Sequence, residues 1–387
     1  MWIDEKVVVA LCLFFLCVMN KLKLAVMGAG KWQLPIYLKA KEMGIETHGF
    51  AYEEGAIAKD HASFFYAISL ADKERVAEKC KEIGVNGVVS CASDFATEIS
   101  CWVAEQLGLN TNSYQTVVNI HDKAWVREKT KHLTSIRQPL TVTGSLETLK
   151  LSFFPCVVKP VHGYGKRGVW LVNSQSEFEK IKTQADYKNE ENALVEQFIV
   201  GKEYSVETLS FHSQHFVVQV TEKVSDGAPH FVELGHHQPA DISDDCRERI
   251  CVAIRDILAA VGYTNGASHI ELKVTDEGDI YLIDLNPRGG GDYISTHLVQ
   301  LSTNCDFTKE IINIALDCFD AREYPYKNIA CSGVYFLTKQ TEYLLPYFEQ
   351  DIPCVVQKEF DRNVSKSISN NDRNGYMIYQ DSKKLLL

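Results

Sequence analysis

In the stretch YLIDLNPRGGGDYIS, residues 281–295, an acid, an amide and a guanidinium stand at every second position: Asp284, Asn286 and Arg288. A strand sends alternate side chains to opposite faces, so these three share one face while Ile283, Leu285 and Pro287 take the other. Alternation of this kind also describes any strand with one face in water, its polar residues simply solvated. The preceding residues bear on the choice. HIELKVTDEGDIYLIDLN reads as a hairpin, and with Glu277 and Gly278 in the turn, Glu271 falls directly opposite Asp284. Carboxylates so placed, with Cβ atoms about 5 Å apart, destabilise a sheet. A divalent cation between them removes the conflict. Magnesium suits the donors, being a hard ion that takes few protein carboxylates and completes its shell with phosphate and water. Asn286 adds a neutral oxygen, and Arg288 adds a planar fork suited to phosphate or carboxylate. Gly289, Gly290 and Gly291 then let a backbone approach a ligand with no Cβ in the way.

These residues need a scaffold, and the pattern of the chain supplies one. From Lys23 the order is strand, helix, strand. LKLAVMGAG is a strand ending in glycines, QLPIYLKAKEMG a helix closed by Gly44, and IETHGFA the next strand. DKERVAEKCKEIG is a helix capped by Asp72 and stopped at Gly84, VNGVVSCAS a strand, and FATEISCWVAEQLG a helix ending at Gly108. Such alternation indicates an α/β fold with a parallel sheet. Gly28-Ala29-Gly30 begins a dinucleotide-binding fingerprint, but its third glycine is replaced by Gln33, so a tight strand-to-helix turn in a Rossmann-like sheet is the better reading. Asp94 reads as a helix N-cap at the end of a strand. His236 and His237 are adjacent on an extended segment and point apart, which argues against joint metal ligation. His269 falls opposite Asn286 and reads either as support for the site or as a satisfied structural histidine.

Glu271 followed by Asp284-x-Asn286-x-Arg288 resembles the metal-binding strands of the ATP-grasp superfamily, with Asp284 in place of the family's second glutamate. The resemblance extends upstream. Lys159 in VVKP looks like the phosphate-contacting lysine. The stretch 162–169, HGYGKRGV, looks like the flexible glycine-rich loop, with Gly163, Gly165, Lys166 and Gly168. VEQFIVGKEYSVE looks like the adenine-side hinge. The resemblance there implies that Glu196 and the Ile199 backbone meet the adenine and Glu203 the ribose. Lys123 in HDKAWVRE matches a second phosphate-binding lysine.

The resemblance implies a Rossmann-like N-terminal domain, an ATP-grasp fold of two α+β subdomains clamping ATP, and a small β-rich C-terminal piece. The corresponding boundaries are 21–118, 119–320 and 321–387. It also implies ATP and magnesium as cofactors, with manganese as a substitute, and metal ligation by Glu271, Asp284 and Asn286. Arg288 and Asn286 would serve catalysis. Among branches, SHIELKVT, GDIYLIDLNPRGGGDYI and FVELGHHQPADIS look most like the amino-acid ligases and dipeptide synthetases, which form amides through an acyl phosphate. The alternatives are a nucleotide-binding regulator without turnover and a relative of the carbamoyl-phosphate synthases and carboxylases. A dehydrogenase fails on the missing glycine. The implied partners are a small carboxylate and an amine, both amino acids, with a homodimer as one assembly.

Bulk composition agrees. The 387 residues carry a net charge of −11, against a nucleic-acid partner, and 45% hydrophobic residues, enough for two or three domains. The twelve cysteines are scattered without a pair two residues apart, so a zinc ribbon, a redox dithiol and a disulfide scaffold are not expected, and a reduced, cytoplasmic setting is. VVVALCLFFLCVM, residues 7–19, is too short for a comfortable membrane span and lacks a basic flank and a cleavage site. Residues 1–20 therefore read as an apolar leader outside the working fold, and no membrane partner is expected.

Overall fold

The computed structural model describes residues 21–162, 168–182, 192–228, 230–365 and 367–387. The apolar leader lies outside them, as do Gly163, Gly165 and Lys166 of the expected glycine loop. Among the described residues, no helix is long and apolar enough to cross a membrane. The chain divides into two compact units.

The first unit holds the described residues up to Tyr114 together with Thr264–Gly266 and Thr308–Asp320. Its strands β1 (Lys23–Met27), β2 (Glu46–Phe50), β3 (Phe64–Tyr66) and β4 (Gly87–Val89) form a parallel sheet in the order β3-β2-β1-β4. Leu24 to Met27 are fully buried, as a strand covered on both faces requires. Helices α1 (Leu34–Glu42), α2 (Lys73–Ile83) and α3 (Asp94–Gln106) alternate with the strands. Asp72 caps α2 by accepting from the Arg75 N–H at 3.4 Å. On α3 the expectation for Asp94 is corrected. Ser93 is the cap, accepting from the Ala96 N–H at 3.3 Å, and Asp94 is the first helical residue. The turn at Gly28 (φ +96°) is filled by Gln33, whose Oε1 accepts from the Gly30 N–H at 3.2 Å while its Nε2 donates to the Cys91 carbonyl at 3.0 Å. The side chain in the third-glycine position thus occupies the amide that a dinucleotide phosphate would need. The helix Phe307–Ala315, expected within 119–320, packs mostly with this unit. Asn110 donates to the Ile314 carbonyl at 2.7 Å, and Gly87 lies so close to the Ala315 carbonyl that a Cβ would sit 2.5 Å from it.

The second unit contains two sheets. Helices α4 (Tyr114–Ile120) and α5 (Lys123–Thr130) lead into β5 (Thr141–Gly144), β6 (Cys156–Pro160), β7 (Trp170–Val172), helix α6 (Gln175–Ile181) and β8 (Ala193–Gln197). These four strands pair in the order β5-β8-β6-β7. Then come β9 (Lys202–Phe211), β10 (Gln214–Ser225), β11 (Glu233–Gln238), helix α7 (Asp244–Ala260), β12 (Gly266–Val274) and β13 (Ile280–Asn286). Ile250, Ile254 and Ile257 form one stripe of α7 and pack with Val206, Val220, Leu272 and Leu282 from one face of the large sheet. The opposite face is left to polar side chains, and there the site is built.

Residues 321–387 are β-rich, but they do not stand apart. β14 (Cys331–Leu337), β15 (Val355–Phe360) and β16 (Gly375–Asp381) continue the large sheet, whose order is β13-β12-β9-β10-β11-β14-β16-β15. The physical reason is the open edge of β11, which β14 satisfies from Gly235↔Tyr335 to Gln238↔Ser332.

Candidate active site

The β12–β13 hairpin pairs Glu271 with Asp284 and His269 with Asn286, as alternation alone suggested. The route to that register differs. Thr275 and Asp279 close a longer loop, through Thr275 N–H to the Asp279 carbonyl at 3.0 Å and Gly278 N–H to the Thr275 carbonyl at 2.9 Å, and the ladder starts at Val274↔Ile280. That offset would place Glu271 opposite Ile283. A bulge between Glu271 and Leu272 leaves Ile283 as the extra residue and restores the pairing. Ile283 consequently lines the cleft instead of joining Leu282 and Leu285 in the core. Its carbonyl, off the ladder, accepts from Arg127 Nη2 at 3.0 Å and Lys159 Nζ at 3.3 Å.

Three cations converge on this bulge. Asp122 caps α5, accepting from the Trp125 N–H at 3.0 Å, and the Lys123 N–H donates to the Val161 carbonyl at 3.2 Å, tying the helix start to the end of β6. Lys123 Nζ lies 3.3 Å from Asp284 Oδ1. One turn on, Arg127 grips Glu196 with Nε to Oε1 at 2.5 Å and Nη2 to Oε2 at 3.2 Å. Lys159, on β6, reaches Glu196 Oε2 at 2.6 Å from the neighbouring strand β8. Burial works to raise the Glu196 pKa, yet Arg127 and Lys159 bring it down to about 2. Burial pulls the Lys159 ammonium below its ordinary range, with Arg127 and Lys123 adding to the effect and Glu196 and Asp284 resisting it. Arg127 was not singled out from the sequence, although its place four residues after Lys123 on a helix was the available signal.

Glu271 has partners of its own. Lys223 of β10 bonds to its Oε1 and lies 3.1 Å from Glu233 Oε1 and 3.3 Å from Glu203 Oε1. Burial works to lower the Lys223 pKa, but Glu233, Glu271 and Glu203 raise it well above its usual value. His269 sits between two acids, with Nδ1 2.5 Å from Glu207 Oε1 and Nε2 3.5 Å from Glu271 Oε1. Burial opposes its charge, yet Glu207 and Glu271 carry its pKa up to about 9, so the ring is an imidazolium at neutral pH. His269 therefore supports Glu271 directly. The expected conflict between Glu271 and Asp284 is thus relieved within the protein, since each carboxylate has a lysine. Like-charge repulsion alone does not call for an ion.

At Gly290 the close approach is made by the protein's own side chains and not by a ligand. Gly290 N–H donates to Glu207 Oε2 at 2.9 Å, and a Cβ there would lie 2.7 Å from His269 Nδ1 and 2.8 Å from Glu207 Oε1. The buried acid–imidazole pair excludes any side chain at that position.

Lys123, Lys159, Glu196, Ile199, Glu203, Glu271 and Asp284 line one cleft of about 980 Å³, counting its open mouth, together with apolar groups such as Val157, Phe198 and Leu282. The cleft lies within the second unit, between the four-stranded sheet and the β12–β13 edge of the large one. The Ile199 carbonyl accepts from Lys273 Nζ at 3.0 Å, a cleft residue that sequence reasoning missed. Gly168, at φ +69°, ends the glycine stretch in a conformation that favours glycine. Asn286 and Arg288 follow Asp284 at the end of the strand. Arg288 Nη2 donates to Asn286 Oδ1 at 3.4 Å, and Nη1 to the Gly289 carbonyl at 3.1 Å. His236 and His237 do face apart: His236 Nε2 lies 3.7 Å from Asp292 Oδ2, and His237 Nδ1 lies 3.0 Å from the Tyr379 hydroxyl.

Residues 152–297, the stretch from just before Lys159 to beyond Arg288, match the model of the ATP-grasp domain. This chain carries an ATP-grasp domain. Its mixed α/β fold is that of ATP-grasp structures. The L-amino acid ligase of Bacillus licheniformis superposes with a TM-score of 0.79 at 22% identity over 94% of each chain. An uncharacterized protein of Sinorhizobium fredii is 31% identical over 170 residues, 42% of this chain and 34% of that relative. The carbamoyl phosphate synthase large chain of Clostridium botulinum is 23% identical over 262 residues, 64% of this chain and 24% of that one. The chain thus spans between a quarter and about a third of these two curated relatives.

In the ATP-grasp domain the donors fit a hard divalent cation. Glu271 and Asp284 are cross-strand neighbours lining the cleft, and Asn286 follows on the face of Asp284. The lysines Lys123 and Lys159 line the same cleft, so anionic oxygens entering it would meet fixed positive charge beside the carboxylates of Glu271 and Asp284.

Proposed function

We infer that this protein is an ATP- and magnesium-dependent carboxylate–amine ligase that joins amino acids through an acyl phosphate. The observation that carries the reading is the meeting of Lys123 and Lys159 with Glu271 and Asp284 around one cleft. Phosphoryl transfer needs little covalent help from a protein and much positioning of charge. A lysine held below its ordinary pKa, as Lys159 is, gains charge stabilisation when a phosphate arrives.

Glu271, Asp284 and Asn286 would hold magnesium, which when bound supplies positive charge at the phosphates. Lys123 and Lys159 orient the phosphate chain, and Arg127 with Glu196 keeps Lys159 aimed at the cleft. Glu196 and the Ile199 backbone meet the adenine between the apolar walls of Phe198 and Val157, and Glu203 is the ribose partner. The resemblance assigns Gly163, Gly165, Lys166 and Gly168 to the phosphates, the first three lying outside the described residues. Asn286 and Arg288 act at the acceptor end, where the Arg288 fork steadies the substrate carboxylate as its oxygen takes the γ-phosphoryl group and the bond to ADP breaks. The amine then attacks the acyl carbon, phosphate departs with the carbon–oxygen electron pair, and the amine gives up a proton.

The reading is tested by phosphate release from ATP across pairs of amino acids, with mass spectrometry of the products. Release that requires an amino acid and yields a dipeptide or other amide supports it. Saturable ATP binding without release for any pair would point instead to a nucleotide sensor.

A further inference from the structure

Four neighbouring strands bring one lysine and three acids together beside the cleft. Lys223 comes from β10, Glu203 from β9, Glu233 from β11 and Glu271 from β12. The Lys223 side chain is only 4% exposed, so its ammonium is surrounded by protein and not by water. Carboxylate oxygens of the three acids lie within 4.8 Å of one another, a spacing from which they could together ligate a metal ion. The ammonium stands among them. Two of the three acids, Glu203 and Glu271, also line the cleft.

We propose that Lys223 is a positioning residue that serves as a built-in cation: it fixes Glu203 and Glu271 at the cleft wall and keeps free divalent ions out of the acid cluster. A mobile ion in that cluster would draw Glu271 away from Asp284 and toward Glu233. A covalently attached charge cannot dissociate, so Glu271 stays oriented whether or not metal is available. The use of Glu203 and Glu271 at the cleft wall rests on the nucleotide reading of the cleft. The exclusion of metal does not.

The test is Mn2+ retention by the nucleotide-free protein, followed by electron paramagnetic resonance and equilibrium dialysis. Wild type is expected to retain no tightly bound ion. Lys223→Met should gain one per chain, and Lys223→Arg should behave as wild type. If Lys223→Met folds only when Mn2+ is supplied, with a melting temperature that climbs with the ion far more steeply than wild type, the proposal is equally supported. A folded Lys223→Met that binds no more Mn2+ than wild type overturns it, as does tight Mn2+ on nucleotide-free wild type. Should Lys223→Met stay unfolded even with Mn2+, the double variant Lys223→Gln with Glu233→Gln decides, a gained ion supporting the proposal and its absence overturning it. These readouts contain no ATP. Failure here leaves the ligase reading standing, and failure of ATP to bind leaves the ion comparison valid.

Discussion

Replacing Glu196 by Gln removes a carboxylate that Arg127 and Lys159 share. Both cations stay within the protein, with side chains 8% exposed, and lose that shared counter-charge. The lowering of the Glu196 pKa from 4.5 to about 2 corresponds to about 3 kcal/mol of folded-state preference for the carboxylate. Removing one partner of a buried ion pair typically costs about 3–5 kcal/mol, which agrees. For a unit of this size that is a fall in melting temperature of roughly 6–12 °C. The folded pKa lies below the unfolded one, so the contribution is complete above pH of about 4.5 and is lost as the pH falls towards about 2. Thermal unfolding of wild type and Glu196→Gln from pH 7 down to pH 3 should therefore give two curves that converge on the acid side. A variant that melts within about 2 °C of wild type at pH 7, or a gap that does not narrow with acid, would refute the view that Glu196 is the anchor of the cleft lysine Lys159.

Three further outcomes follow from the same geometry. Gly290→Ala should lower stability by about 1–3 kcal/mol in urea unfolding, because its Cβ would lie 2.7 Å from His269 Nδ1, whereas Gly291→Ala, with no atom within 4 Å of its Cβ, should be near neutral. His237 is held neutral by burial, assisted by Lys384 and His236, with its pKa down at about 3. The unfolded chain takes up that proton below about pH 6.5, so wild type should lose about 2 kcal/mol between pH 7 and pH 5 that His237→Asn does not, which urea titrations at the two pH values will read. Arg288→Lys should keep ATP affinity within a small factor by calorimetry and slow single-turnover product formation by roughly two orders of magnitude, since lysine cannot copy a planar two-point grip.

Much of the hairpin was legible because strand alternation is a local rule. Asp284, Asn286 and Glu271 follow from counting by twos, and the pairing observed is the one counted. The bulge at Ile283 was not legible. The longer loop at Thr275–Asp279 and the bulge cancel in register, so the correct pair was reached through the wrong turn. Lys223 was hidden for a different reason. In VTEKVS it looks like any strand lysine, and only the long-range pairing of β9, β10, β11 and β12 surrounds it with acids. Arg127 lay between these cases, since its helical spacing from Lys123 was visible but its partner Glu196 is far along the chain. Gly290 was read as a site of ligand approach, whereas the groups that approach it are Glu207 and His269, brought there by long-range strand pairing.

The central claim is that a substrate carboxylate is activated by phosphorylation. Substrate labelled with 18O in its carboxyl group tests it directly, with mass spectrometry of the phosphate released during turnover. Transfer through an acyl phosphate moves one labelled oxygen from the carboxylate into each phosphate, and that is the expected result. Phosphate released without label, while ATP is consumed at the same rate, would contradict the account.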